Sequence, residues 1–229
     1  MQYAPRTIAF IAELIHPPVA LDPSRIQKVH NDLFQTPDPA YTSFAVTPAG
    51  TVLSNPGARP GAVSQASFAV DRIQFREELG SLTVDEFAQR VQHIAGLVAE
   101  LCGIQVFTST QVTIRSLINP RNFKDAREFL KQGMFGFSRE TEDFDREPEL
   151  YGLRMVFPPR EDQPNAHSLR IESFNDDPRS LFIENHSSFP PILLARGLDA
   201  IVENVEQSYG FLVQRALTFV GRFDERQEA

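Results

Sequence analysis

Residues 81–120 read SLTVDEFAQRVQHIAGLVAELCGIQVFTSTQVTIRSLINP. Thr83 followed by Glu86 is a capping box, in which each side chain covers a backbone N–H of the other residue. Behind it, Phe87, Val91, Ile94, Val98 and Leu101 recur at alternating four- and three-residue steps. That spacing lays one apolar stripe along a helix of about six turns. Gly103 supplies the left-handed residue that ends helices. Val106–Ile118 then reads as a strand rich in β-branched residues, closed by Asn119-Pro120. A long helix feeding a long strand is the middle of an α+β domain, and the stretch carries no catalytic motif.

Upstream, Arg6–Ile15 alternates as a first strand, with Ile8, Phe10 and Ala12 on one face, and Pro17-Pro18 ends it. Asp22-Pro23 starts a short helix whose stripe is Ile26, Val29 and Leu33. Thr42–Val46 and Thr51–Leu53 flank the turn residues Thr47-Pro48-Ala49-Gly50, which predicts a hairpin. Ser64–Glu77 shifts phase between Phe68/Val70 and Ile73/Phe75, so a bulge or tight turn is expected at Asp71-Arg72.

Downstream, Asn122 is read as the cap of a second short helix that buries Ala126, Phe129 and Leu130 and ends at Gly133. Ser138–Glu149 carries Glu140, Glu142, Asp143, Asp145, Glu147 and Glu149, and is expected to be a solvated acidic loop. A calcium reading of Glu142, Asp143 and Asp145 is disfavoured, because no glycine supplies the sharp turn such loops need. Leu150–Phe157 is a strand, and Ser168–Phe174 with Ser180–His186 forms a hairpin. Leu198, Ile201, Val205, Leu212, Ala216, Phe219 and Phe223 mark a long amphipathic C-terminal helix.

Two halves therefore share an order of elements. The expected fold is α+β: two fused β-α-β-β(-β)-α halves, 1–104 and 105–229, sharing a core. An antiparallel sheet is backed by long helices on one side. This order resembles the tandem units of the TATA-binding-protein-like fold. Through Val112–Asn119 and the run Leu198–Phe219 the chain is also similar to a sporadically distributed group of uncharacterised bacterial proteins. Both resemblances imply a fold, and neither carries a functional residue onto this chain.

With 229 residues, 41% hydrophobic and 23% charged, the composition is that of a soluble globular protein. No run reaches the length of a membrane span and no signal peptide is evident, so a cytoplasmic protein is expected. The net charge of −8 disfavours nucleic acid as a partner. The single cysteine, Cys102, excludes an internal disulfide and reads as a buried, inert thiol. No nucleotide loop, nucleophile elbow or metalloprotease helix is present, and the five histidines are scattered. Neither a cofactor nor a metal is expected.

The best chemical grouping lies on the second hairpin. If Leu169, Ile171, Leu181 and Ile183 face the core, period two places Arg170, Glu172, Glu184 and His186 on the opposite face, joined by Arg154 from the neighbouring strand. A Glu–His pair (Glu184 and His186, with Glu172 nearby) suits acid–base work, and Arg154 and Arg170 suit an anionic ligand. The competing reading is a water-facing sheet with cross-strand ion pairs. Phe211, Phe219 and Phe223 are interface candidates, because the C-terminal helix is apolar around much of its circumference. The expectation is a non-enzymatic binding or assembly protein, acting as a homo-oligomer or docking a protein partner. The alternative is a small-molecule binder or enzyme using the polar face around Glu184 and His186.

Overall fold

The computed structural model describes residues 3–35, 40–137 and 144–225. The chain is α+β, built on a nine-stranded antiparallel sheet with its helices on one face. The strands are β1 (Arg6–Ile15), β2 (Ser43–Thr47), β3 (Gly50–Asn55), β4 (Val63–Phe68), β5 (Arg72–Glu78), β6 (Val106–Phe107), β7 (Ser109–Ile118), β8 (Gly152–Phe157), β9 (Ala166–Ser173), β10 (Leu181–Phe189) and β11 (Ile192–Leu193). The large sheet runs β2-β3-β4-β5-β1-β7-β10-β9-β8, and β6 with β11 forms a separate short ladder. Strands β1 and β7 pair at the centre of the large sheet, β5 and β10 lie beside them, and the remainder step outward to β2 and β8. Burial alternates strictly enough to fix the register: Phe10 faces Ile114 and Ala12 faces Val112 on the helix side.

Helix α1 (Pro23–Phe34) begins at Asp22, whose carboxylate accepts from Ser24 N at 2.8 Å, and it buries Ile26, Val29 and Leu33. Helix α2 (Val84–Cys102) carries the complete capping box: Thr83 Oγ1 accepts from Glu86 N at 3.2 Å, and Glu86 Oε2 accepts from Thr83 N at 2.7 Å. The helix ends at the left-handed Gly103. Its buried side includes Phe87, Val91, Ile94 and Val98, and small residues at Ala88, Ala95 and Ala99 let it approach its neighbours closely. It packs between α1 and α4 (Asp199–Gly210).

Four local expectations are revised. Val106–Ile118 is not one strand: Thr108 turns its N–H to Ile15 O and divides β6 from β7. The cap of α3 (Ala126–Glu128) is Asp125, which accepts from Glu128 N at 2.9 Å, whereas Asn122 donates to the Asp224 carbonyl. The hydrogen-bond ladder after α3 widens to a π-helical turn over Phe129–Met134. The C-terminal helix is likewise interrupted, by a π-helical turn at Phe211–Ala216, and resumes as α5 (Leu217–Asp224). At the first of these residues the N–H of Phe211 is shared between the Gln207 and Ser208 carbonyls. At Asp71-Arg72 the phase shift is a tight turn, with Phe68 opposite Ile73 and Ala69 N bonded to Arg72 O.

Of the acidic run, Glu140, Glu142 and Asp143 lie outside the described residues. Glu147 is tied down, accepting from Lys131 Nζ at 2.6 Å and from the Tyr151 hydroxyl at 2.8 Å. The two ends of the chain are stapled by Asp224, a buried carboxylate that accepts from the Tyr3 hydroxyl and from the backbone N–H groups of Arg121 and Asn122. Cys102 is buried, and that burial pushes its thiol up. Among the described residues no helix is long and apolar enough to cross a membrane.

Candidate functional site

The sheet presents one face to the helices and leaves the other open, and the open face at β7, β10, β9 and β8 gathers the polar residues singled out above. Glu184 lies opposite Arg115 on one side and Arg170 on the other. It accepts from Arg115 Nε at 2.6 Å and meets Arg170 at 3.5 Å. Arg170 also spans 3.8 Å to Glu172, and its guanidinium lies over the Phe182 ring. His186 is opposite Thr113, whose hydroxyl is 2.8 Å from Nδ1. Arg154, on β8, donates to Ser168 Oγ at 3.0 Å. Glu184 and His186 therefore share a face but each is engaged with a neighbouring strand rather than with the other. Arg115 belongs to the group and was missed, because only the pairing of β10 with β7 brings it there.

The same lattice continues across β1 and β5. Gln74 donates to Glu13, Arg72 meets Glu13 at 3.6 Å, and Arg76 pairs with Glu78. From β5 to β9 most arginines of this face stand beside a glutamate, so the charge largely cancels, while Arg154 stands opposite Arg170.

Beneath α4, on the helix side, lies a polar group that the sequence reading did not assemble. His167 Nδ1 is 2.9 Å from Ser187 Oγ and 3.3 Å from Asn185 Oδ1. Asn185 Nδ2 donates to Ser187 Oγ at 3.0 Å and to Ser208 O at 2.9 Å, and Ser208 Oγ donates to Asn204 O. Asn165 Nδ2 stands 3.0 Å from Nε2 of the same imidazole. With the amides so placed, Nδ1 carries the proton and Nε2 is the acceptor. Burial lowers the affinity of His167 for a second proton. The ring is covered by Phe211, stacked at 3.9 Å between centroids, and Phe211 in turn meets Phe157 edge-on at 5.3 Å. The period-two rule does place His167, Asn185 and Ser187 on the core side, but polar residues there gave no signal of one connected network.

Of the interface candidates, Phe211 is thus half-buried beside β8. Phe219 and Phe223 are half-buried as well, edge-to-face at 5.2 Å and packed on the core. The large apolar side chains that are most exposed lie elsewhere: Val156 and Phe157 on β8, Phe144 and Leu150 before it, Phe34 and Val46 beside the β2 end, Val70 in the β4–β5 turn and Leu193 on β11. Strands β2 and β8 are the two edges of the sheet, and no strand among the described residues pairs with the outer side of either. Among the described residues no three His, Cys, Asp or Glu side chains are grouped as a metal ion would require. No family model matches the chain, and no curated protein matches it.

Proposed function

We propose that this chain is a non-enzymatic assembly protein that pairs with a second copy of itself along the outer edge of β8. The observation that carries this reading is the edge itself, which no strand among the described residues pairs with and where Val156 is 66% exposed and Phe157 39%. Natural edge strands are ordinarily blunted by lysine, proline or a covering segment. Gly152-Leu153-Arg154-Met155-Val156-Phe157 contains neither lysine nor proline, and Pro158-Pro159 follow directly to stop the ladder.

Antiparallel pairing about a two-fold axis through Met155 keeps the helix side of both copies on one face. It sets Leu153 opposite Phe157 and Met155 opposite its own symmetry mate on that side, with Arg154 opposite Val156 on the open side. A register centred on Arg154 would oppose two guanidinium groups, which costs stability. Phe211, in contact with Phe157, would then sit next to the shared seam. The open face supports binding over catalysis, since the charged groups there already hold one another.

Light scattering at tens of micromolar tests the proposal. The expected result is a dimer, converted by Val156→Lys to a monomer that still unfolds cooperatively, because that side chain is exposed in the single chain. A monomeric wild type, or a Val156→Lys dimer as tight as the wild type, overturns it.

A further inference from the structure

At the other end of the sheet, the segments 55–64 and 77–82 enclose a cleft of about 440 Å³ with Arg90 of α2 at its wall. Glu77 lies at the bottom, 8% exposed, and it is the one acid of β5 that points to the helix side. Its carboxylate comes so close to Gly80 that a Cβ there would lie 1.9 Å from Oε1. Leu79, directly before Gly80, is held at a positive φ of 52°. A leucine in the left-handed region is strained, and such strain concentrates where ligands are held. Leu79 is kept there by two bonds: its N–H donates to Ile8 O at 2.7 Å and its carbonyl accepts from Arg59 Nε at 2.9 Å.

Arg90 is the second uncommon feature. Its side chain is only 20% exposed, yet its ion pair with Glu77 spans 3.9 Å, beyond hydrogen-bond length. Arg90 also hydrogen-bonds Tyr41, a buried side chain over whose ring the guanidinium lies at 5.5 Å, and feels the Glu86 carboxylate one helical turn back. A guanidinium carries five N–H donors, so the group can still meet a ligand that enters the cleft. Arg59, fixed through Nε, brings further donors on the opposite wall. Pro56, Ala58, Val63 and Leu82 supply apolar lining.

We propose that this cleft binds a small organic monocarboxylate, its charge met by Arg90 and Arg59 and its apolar part by Pro56, Ala58 and Leu82. Charge balance selects this class. Glu78 points to the open face and is held there by Arg76, so in the empty cleft Arg59 and Arg90 face the single carboxylate of Glu77 and one positive charge is left over. An entering monoanion cancels it. A phosphate dianion would leave a negative charge in excess, and an amine would face two guanidinium groups. The proposal stands apart from self-pairing at β8, on the far side of the sheet.

Titration calorimetry with hexanoate and benzoate, against inorganic phosphate and hexylamine, tests it. The expected result is saturable binding of the carboxylates alone. Arg59→Gln, at an exposed position, should weaken it about tenfold or more. Glu77→Gln, which leaves the cleft more positive, should bind the carboxylates at least as tightly as the wild type. Absence of saturable carboxylate binding, a preference for hexylamine or phosphate, or undiminished affinity in Arg59→Gln overturns it.

Discussion

The imidazole of His167 lies flat on the ring of Phe211, with centroids 3.9 Å apart and planes 7° from parallel. One residue comes from β9 and the other from the first position of a π-helical turn, so the stack joins the sheet to the point where the C-terminal helix changes its winding. Below it, hydroxyl and amide groups run inward to Ser208. This is a polar seam inside an otherwise apolar layer.

The seam makes stability depend on pH. Burial lowers the His167 pKa in the folded chain, with the Asn185 hydrogen bond opposing that shift. As pH falls through about 6.5, the unfolded chain takes up this proton before the folded one does. The stabilisation is therefore complete above that value and is lost progressively below it. Melting temperature should decline between about pH 7 and about pH 5.5 more steeply in the wild type than in His167→Gln. Parallel slopes would remove His167 as the responsible group.

Asn185 should be the costliest member of the seam to lose. It is fully buried, and it serves His167, Ser187 and the Ser208 carbonyl at once. Asn185→Ala leaves donors and an acceptor unpaired in a low-dielectric layer, which costs roughly 1–3 kcal/mol for each group left unmade. Urea unfolding should show a loss of at least about 2 kcal/mol with an unchanged m value. A loss below half of that would mean the network re-pairs without its amide.

What the sequence made legible was set by local chemistry and period. The Thr83 and Glu86 box, the Phe87–Val98 stripe and the alternation of Leu169, Ile171, Leu181 and Ile183 each determine their own structure. They are found as expected. The polar partners of Glu184 were half legible: Arg170 is its hairpin neighbour, but Arg115 arrives through the pairing of strands 69 residues apart. The cap of α3 was misread because Asn122 and Asp125 are both good caps, and Asn122 is drawn off by Asp224, 102 residues away. The Glu77 cleft gave no signal at all. Its features, a left-handed leucine and a close approach at Gly80, exist only once β5 is laid against β1.

The central helix offers a direct check on packing. Thr83→Ala removes one half of the capping box and should cost roughly 0.5–2 kcal/mol. Val98 is fully buried, so Val98→Asp places an unpaired charge in the core and should abolish cooperative unfolding altogether. A Val98→Asp protein that melts with the wild type would show the buried face of α2 to be another one.

Gly50 closes the β2–β3 hairpin with φ at +133°, a conformation that side chains rarely adopt. It also abuts the next strand: a Cβ would lie 2.2 Å from the Phe68 carbonyl oxygen and 3.0 Å from its carbon. That carbonyl belongs to β4, whose Phe68 is paired with Thr51, so the obstacle is ladder backbone and not the movable end of a side chain. Gly50→Ala therefore has to strain the turn and also push β3 away from β4, and should cost about 2–4 kcal/mol. Gly61 is the internal control. Its φ is +79°, but an added Cβ would meet only Leu79 Cδ1, at 3.6 Å. Gly61→Ala should therefore lose about 1 kcal/mol, the conformational cost alone. The excess in Gly50→Ala should appear as faster amide exchange along β2 and β3, with β7 and β10 as protected as before. Equal losses in the two variants would assign the whole effect to the dihedral angle and none to the contact with β4.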